Sequence, residues 1–228
     1  MMANHVIHPL EDSIPDVQVY KSRLLRFFAW VISAVFHPLF IPLYAAFYIA
    51  FIHPRYFAGF NHAQRALIVI RVGLNMVLYP LISVLLLKGV GFIDSILLKT
   101  QKDRVIPYVA SGIFFFWMYL VFRNQPAIPK VLTAFTFGVF LSSSVALIAN
   151  IYLKISMHAI GCGGLIGLML VILLTDSSSP ITIPLMISIL IAGLVCTSRM
   201  IIGSHNQKEI YVGFVVGLAL QFVAALVV

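Results

Sequence analysis

A histidine and a carboxylate near the end of the chain have the spacing of a nucleophile and the group that orients it. His205 and Glu209 are four positions apart, which places them on one face of a helix. Glu209 can then accept the Nδ1–H proton of His205 and leave a free lone pair on Nε2. Ser198 and Arg199 come shortly before and supply a hydroxyl and a cation. These residues predict a site for nucleophilic attack on an anionic group.

Two more groups of polar residues border apolar segments. Ser156 is a candidate N-cap, and a helix N-terminus with free amide groups and a hydroxyl binds anions. His158 would lie in the first turn of that helix, where it can protonate a leaving oxygen. Lys99, Lys102 and Arg104 form a further basic group, although lysines and arginines at span ends also form basic collars that reach the membrane surface. Together these residues predict phosphoryl transfer without a metal or any other cofactor.

The composition places this chemistry in a membrane. Of the 228 residues, 61% are hydrophobic and 10% are charged, whereas a soluble domain has about 45–50% apolar and about 25% charged residues. The formal net charge of +8 favours anionic lipid surfaces, and no basic stripe interleaved with aromatic residues predicts nucleic-acid binding. Cys162 and Cys196 lie in apolar runs, which is typical of packing residues. We expect an integral protein of the lipid bilayer, whose oligomeric state the sequence leaves open.

Apolar segments long enough to cross a bilayer must position these groups. About 20 apolar residues cross the bilayer as a helix, and the segments lie near 24–52, 66–90, 107–123, 131–153, 158–175, 181–198 and 210–228. His37-Pro38 and Ile41-Pro42 interrupt the first segment, because proline removes a backbone donor. We interpret His37 and His53, each followed by proline, as kink or turn residues.

The predicted fold is therefore all-α. We expect a polytopic transmembrane helix bundle with six spans plus a kinked or re-entrant first segment. Residues 1–23 are predicted to form a polar N-terminal tail, and residues 24–228 a single transmembrane domain. Counting crossings places the three polar groups on one membrane face, because successive spans leave that face and return to it. Glycines predict where helices approach closely; they are Gly161, Gly163, Gly164, Gly167, Gly213 and Gly217.

The third polar group resembles a motif of the type 2 phosphatidic acid phosphatase superfamily, the integral membrane lipid phosphate phosphatases. The family pattern is Lys-x6-Arg-Pro, then Pro-Ser-Gly-His, then Ser-Arg-x5-His-x3-Asp. Ser198-Arg199, His205 and Glu209 reproduce the spacing of the last motif, with Glu in place of Asp.

The first two family motifs are matched in part. Ser156 and His158 match the second motif, in which Ile155 and Met157 replace Pro and Gly. Arg104 is similar to the arginine of the first motif. Pro107 follows three residues later rather than directly, and either Lys99 or Lys102 would be the lysine.

The resemblance implies metal-independent hydrolysis of a lipid phosphate or pyrophosphate. It implies a phosphohistidine intermediate on His205, with Glu209 orienting the ring and His158 as the acid. It also implies that phosphate is held by Arg199, Arg104, Lys99 or Lys102, Ser156 and Ser198. Two alternatives stay open: a phosphotransferase of the same fold, and a non-catalytic carrier of lipid phosphates.

Orientation depends on the first segment. If that segment is a single span, the polar groups lie on the more basic face, which the positive-inside rule makes cytoplasmic. If it is re-entrant, the basic residues of the N-terminal part move to the opposite face and the site faces outward. The resemblance to bacterial family members favours an outward-facing, periplasmic site in the plasma (inner) membrane, and we expect that arrangement.

Overall fold

The computed structural model is helical throughout its regular elements. It describes residues 22–53, 55–93, 95, 101–176 and 180–228, with the side chains of residues 101 and 102 excluded. In these ranges the helices are α1 (Arg23–Val35), α2 (Ile41–Ile52), α3 (His62–Gly89), α4 (Gln101–Arg123), α5 (Lys130–Tyr152), α6 (Met157–Thr175), α7 (Thr182–Ile201) and α8 (Gln207–Val227). Two short stretches are π-helical, Tyr48–Ile52 in α2 and Leu74–Leu78 in α3.

Six of these helices, α3 to α8, are long and apolar enough to cross a membrane. Helix α1 has 13 residues, and α2 is also shorter than the about 20 residues that a crossing requires. The helical conformation is interrupted between Val35 and Ile41, around His37-Pro38. The predicted all-α bundle, with six spans and an interrupted first segment, is confirmed.

Several helices begin before their apolar runs, because polar residues stabilise the first turn. Asn61 caps α3 by accepting a hydrogen bond from the Gln64 amide, and the Gln64 side chain accepts one from the Asn61 amide. Asn206 caps α8 in a similar way. Helix α4 begins at Gln101 and contains Pro107 in its interior. The predicted segments began later, at 66, 107 and 210, because a hydropathy pattern detects the apolar residues of a helix and not its polar first turn.

Close contacts between α6 and α8 form the centre of the bundle. A Cβ atom at Gly163 would meet the Phe214 carbonyl, and one at Gly217 would meet the Ile160 carbonyl. Helix α6 also packs on α5 and α7, while α4 packs on α5 and α1 packs on α7. The predicted role of these glycines in close helix contacts is confirmed.

The turn between α1 and α2 lies against the beginning of α6. The His37 carbonyl accepts a hydrogen bond from the Phe40 amide at 2.8 Å. Pro38 packs on Gly161, where an added Cβ would lie 3.4 Å from Pro38. Helix α2 runs from this turn along α3, α5 and α6. The interrupted first segment therefore brings a turn, rather than a helix, to the end of the bundle where α6 begins.

Candidate active site

A cavity of about 410 Å³ opens at the end of the bundle where α4, α6 and α8 begin. This volume falls within the range of about 300–1,000 Å³ that is usual for small-molecule pockets. Ionisable side chains from all three predicted groups line it, together with one from the turn after α1: Arg104, His158, Arg199, His205 and His37. The polar groups that the sequence assigned to one face thus contribute to one cavity.

The end of α7 shapes the loop that carries His205. Gly203 has a φ of +75°, a value that glycine adopts without steric cost. The Gly203 amide donates to the Met200 carbonyl at 2.9 Å, and the Ser204 amide donates to the Arg199 carbonyl at 3.1 Å. This paired pattern closes the helix end. It leaves His205 in a short connection directly before the N-cap of α8.

Glu209 holds the ring of His205 in a defined tautomer. The Nδ1 atom of His205 lies 2.6 Å from Oε2 of Glu209. A carboxylate only accepts, so Nδ1 carries the proton and Nε2 keeps its lone pair. The side chain of Asn206 donates to Oε1 of Glu209 at 3.2 Å and accepts from the Glu209 amide at 2.9 Å. Sequence reasoning missed Asn206, although Asn three residues before Glu is a capping signal.

Burial favours the neutral form of His205. Its side chain is 9% exposed. Removal from water lowers the pKa of His205 to about 4. The positive charges of Arg199 and Lys154 act in the same direction, while the hydrogen bond that His205 donates to Glu209 opposes them. At neutral pH His205 is therefore uncharged, as a nucleophile must be.

His158 lies in the first turn of α6, as predicted. The hydroxyl of Ser156 accepts from the Ala159 amide at 3.4 Å and caps that helix. Nε2 of His158 lies 3.1 Å from the Ser33 carbonyl oxygen. Because a carbonyl only accepts, Nε2 carries a proton, and Nδ1 is the nitrogen of His158 that is left for a ligand.

Two hydrogen bonds join the loop before α6 to the loop before α8 and to the first turn of α8. Lys154 donates from Nζ to the Ser204 carbonyl at 2.7 Å, and the Ser156 amide donates to the Glu209 carbonyl at 3.3 Å. The loops that carry His158 and His205 are therefore fixed relative to each other.

Two arginines supply positive charge to the cavity. Arg199 lies in the last turn of α7, and its buried Nε atom has no hydrogen-bond partner among the described residues. Arg104 lies near the beginning of α4 and also lines the cavity. Lys99 lies outside the described residues. Lys102 belongs to α4, but its side chain is outside the description.

The two serines expected to bind phosphate make other contacts. Ser156 is fully buried as a helix cap. The Ser198 hydroxyl donates to the Leu194 carbonyl at 2.7 Å within α7. Neither serine lines the cavity, whose hydroxyl groups come instead from Tyr108, Ser111, Ser142 and Ser143.

His37 is a cavity residue that sequence reasoning interpreted as a turn residue alone. It does lie in the turn after α1, but its side chain also lines the cavity. Its ring centroid is 5.2 Å from that of His158, at an interplanar angle of 83°. An ionisable residue within an apolar segment is a general signal for function in membrane proteins.

Neither a group of metal-coordinating residues nor a known relative identifies the site. In the part of the chain that the structure describes, no group of three or more His, Cys, Asp or Glu side chains could hold a metal ion. Comparison of the chain with protein-family models, curated proteins and solved structures finds no match in any of the three. The side chains that line the cavity are therefore the basis for inferring what reaction the site supports.

Proposed function

We propose that the protein is a lipid phosphatase that hydrolyses a lipid phosphate or pyrophosphate at the membrane surface, independently of a metal. It would belong with the type 2 phosphatidic acid phosphatases that its motifs resemble. The observation that carries the proposal is the arrangement of His205. Its ring is neutral, is oriented by Glu209 and shares one cavity with His158, Arg104 and Arg199.

In the first step the Nε2 lone pair of His205 attacks the phosphorus atom, and the bond from phosphorus to the lipid oxygen breaks. The leaving oxygen takes a proton from Nδ1 of His158. We take this nitrogen to gain its proton from solvent when the anionic substrate binds beside it, while the Nε2–H stays bonded to the Ser33 carbonyl. Arg199 and Arg104 offset the negative charge of the transferred group. The products are a phosphohistidine on His205 and the leaving group, which is the lipid alcohol for a monophosphate and the lipid monophosphate for a pyrophosphate.

In the second step water attacks the phosphorus atom and the nitrogen–phosphorus bond breaks. His158, now neutral, accepts the proton of the attacking water and returns to the imidazolium form. Inorganic phosphate leaves, and His205 regains its lone pair. Glu209 binds the Nδ1–H of His205 throughout, so the same nitrogen is presented in each cycle.

The walls of the cavity favour a lipid as the substrate. Below the charged end the lining is largely apolar, with Leu81, Leu85, Phe115 and Val139 among its residues. The cavity lies at one end of a bundle of six helices that are long and apolar enough to cross a membrane, so a lipid substrate would keep its chains in the bilayer. The substrates to test are phosphatidic acid, phosphatidylglycerophosphate, a polyprenyl pyrophosphate and a lipid A phosphate.

We place the site on the outer, periplasmic face of the plasma (inner) membrane. The support is the resemblance to bacterial family members, together with the interruption of the first segment, whose helices α1 and α2 are each shorter than the about 20 residues of an ordinary crossing. A re-entrant first segment leaves six spans and both chain ends inside.

The test is phosphate release by the purified full chain in detergent, with EDTA present, from those four lipids. We expect release by the wild type and loss of release in His205→Asn. His62→Asn is the matched control, since His62 is exposed at the beginning of α3 and does not line the cavity. Full activity in His205→Asn would refute the phosphohistidine step.

A failure of release would also be informative. Transfer of labelled phosphate to a second lipid, without release of inorganic phosphate, would identify a phosphotransferase. Binding of lipid phosphate with neither transfer nor release would identify a carrier, which needs the arginines but not His205 as a nucleophile.

A further inference from the structure

The two serine hydroxyls that the motifs assign to phosphate are bonded elsewhere in the fold. Ser156 and Ser198 are bound to the Ala159 amide and the Leu194 carbonyl, respectively, and neither lines the cavity. A phosphoryl group carries several non-bridging oxygens, and each oxygen that is removed from water needs a donor. The arginines are strong donors, and Tyr108, one turn after Arg104, also lines the cavity; a further side chain at this end can share the task.

That side chain is His37, in the turn between α1 and α2. The turn is fixed on both sides, by the Phe40 amide bonded to the His37 carbonyl and by the contact of Pro38 with Gly161. The His37 ring packs edge to face on the ring of His158, with centroids 5.2 Å apart. His37 is exposed to the cavity that also contains Arg199 and His205.

The backbone determines which nitrogen of His37 carries a proton. The Leu39 amide donates to Nδ1 of His37 at 3.3 Å. Nδ1 must then be the acceptor, so in the neutral ring the proton lies on Nε2. Partial removal from water and the nearby charge of Arg199 lower the pKa of His37 below its ordinary value, which also favours the neutral ring.

We propose that His37 is a phosphate-binding residue, which donates its Nε2–H to a non-bridging oxygen of the phosphoryl group held between Arg199 and His205. This inference rests on the proposed function, because it takes the phosphoryl group to be bound at His205. The interrupted first segment then has a defined role: it adds a donor to those that Arg104, Tyr108 and Arg199 bring from the spanning helices.

The test measures binding of orthovanadate and of inorganic phosphate to the purified full chain in detergent, without a lipid. His37→Phe keeps an aromatic ring against His158 but removes the N–H donor. His37→Gln keeps an amide donor at a similar reach. His62→Gln is the matched control outside the cavity. We expect His37→Phe to weaken binding of both anions by roughly tenfold or more, the usual effect of losing a hydrogen bond to a charged group, and His37→Gln to bind close to wild type.

Two outcomes would overturn the proposal. Unchanged binding in His37→Phe would show that the ring donates nothing to the anion. Equal loss in His37→Phe and His37→Gln would show that the ring supports the turn rather than the ligand. A higher KM with little change in kcat in His37→Phe, restored in His37→Gln, would support the binding role in the reaction itself.

The anion measurement separates this inference from the proposed function. If the wild type binds orthovanadate and the two variants differ as expected, but no lipid is hydrolysed, the phosphatase proposal fails and the role of His37 stands. If the wild type hydrolyses lipid and His37→Phe binds the anions normally, the role of His37 fails and the phosphatase stands. If the wild type binds neither anion, both are wrong.

Discussion

The three histidines of the cavity differ in how the protein binds each ring. Nδ1 of His205 donates to Glu209, Nε2 of His158 donates to the Ser33 carbonyl, and Nδ1 of His37 accepts from a backbone amide. Each ring therefore offers something different to a ligand: a lone pair, a nitrogen that can carry a transferable proton, and a fixed N–H donor. Substitutions at the three positions should have different kinetic effects.

Replacing Glu209 with glutamine should disturb the tautomer of His205. Each Glu209 oxygen accepts one hydrogen bond, from His205 and from Asn206. A glutamine has one acceptor, so its amide group must face one of these two donors. If it faces His205, the proton moves to Nε2 and the nucleophile is lost. We expect phosphate release by Glu209→Gln to fall roughly 10²- to 10⁴-fold, the range seen when a carboxylate no longer orients a catalytic histidine.

A second substitution checks this explanation. Asn206→Asp provides an acceptor for the glutamine amide and remains a good N-cap. The double variant Glu209→Gln with Asn206→Asp should therefore recover part of the lost rate, since the glutamine oxygen can again face His205. Asn206→Asp alone places two carboxylates side by side and should not raise activity. No recovery in the double variant would argue against a tautomer effect.

The lowered pKa of His205 should make the stability of the protein depend on pH. The unfolded value is about 6.5, and burial lowers the folded value to about 4. The unfolded state then binds more protons between these values, so this contribution to stability is complete above about pH 6.5 and is lost as the pH falls towards 4. The measurement is the thermal unfolding midpoint of the wild type and of His205→Asn in detergent. The midpoint of the variant should fall less steeply over this window, and equal slopes would contradict the assignment.

At the scale of the helices, contacts between α6 and α8 fix the distance between the helix ends that carry His158 and His205, the two proposed catalytic residues. His158 lies at the beginning of α6 and His205 directly before α8. Gly213 allows close approach to the Ser156 carbonyl, since an added Cβ would lie 2.8 Å from it. Gly217 allows the same approach one turn further along, at the Ile160 carbonyl. Small residues are the usual means of bringing helices together in a bilayer, and here they also determine the geometry of the site.

An alanine at Gly217 should therefore destabilise the bundle. Its Cβ would meet the backbone of Ile160, which cannot move as a flexible side chain does. Overpacking of this kind costs about 1–3 kcal/mol, and we expect a lower unfolding midpoint and reduced activity in Gly217→Ala. Gly193→Ala in α7 is the matched control, because no atom lies within 4 Å of its added Cβ. That variant should be neutral or slightly stabilised, since alanine favours helix over glycine. Equal effects at both positions would show that the close contact is unimportant.

Short separations along the chain made part of the site predictable. His205 was expected on the helix that carries Glu209, but it lies directly before the N-cap Asn206, so the contact forms across the start of α8. The four-residue separation of His205 and Glu209 gave their contact, and Ser156 was correctly identified as the cap of α6. The six spans followed from hydropathy. The start of α4 at Gln101 did not follow from hydropathy, because the helix begins with polar residues and contains Pro107 in its interior. The contribution of His37 could not be predicted, because it depends on how a turn packs against a helix more than a hundred residues away in the chain.

At the scale of the whole molecule, the two ends of the bundle use their cations differently. Away from the site, Arg55 pairs with Asp176 at 3.4 Å, Arg71 donates to Gln125, and Arg65 donates to the Phe57 and Phe60 carbonyls. At the site end, Arg199 and Arg104 line the cavity. A count of positive charges on each face is therefore a poor guide to orientation, because these cations make internal contacts or line the cavity.

Labelling of single cysteines would determine the orientation directly. In a background with Cys162→Ala and Cys196→Ala, one cysteine is placed at Lys208 and another, in a separate variant, at Asn124. Both positions are exposed, Lys208 in the first turn of α8 at the site end and Asn124 between α4 and α5 at the other end. For an outward-facing site we expect a membrane-impermeant maleimide to label Lys208→Cys in intact cells, and Asn124→Cys only after permeabilisation. The reverse labelling pattern would show that the cavity opens to the cytoplasmic face of the membrane. Its substrate would then be drawn from lipids of the inner leaflet, and the first segment would have to be counted as a crossing.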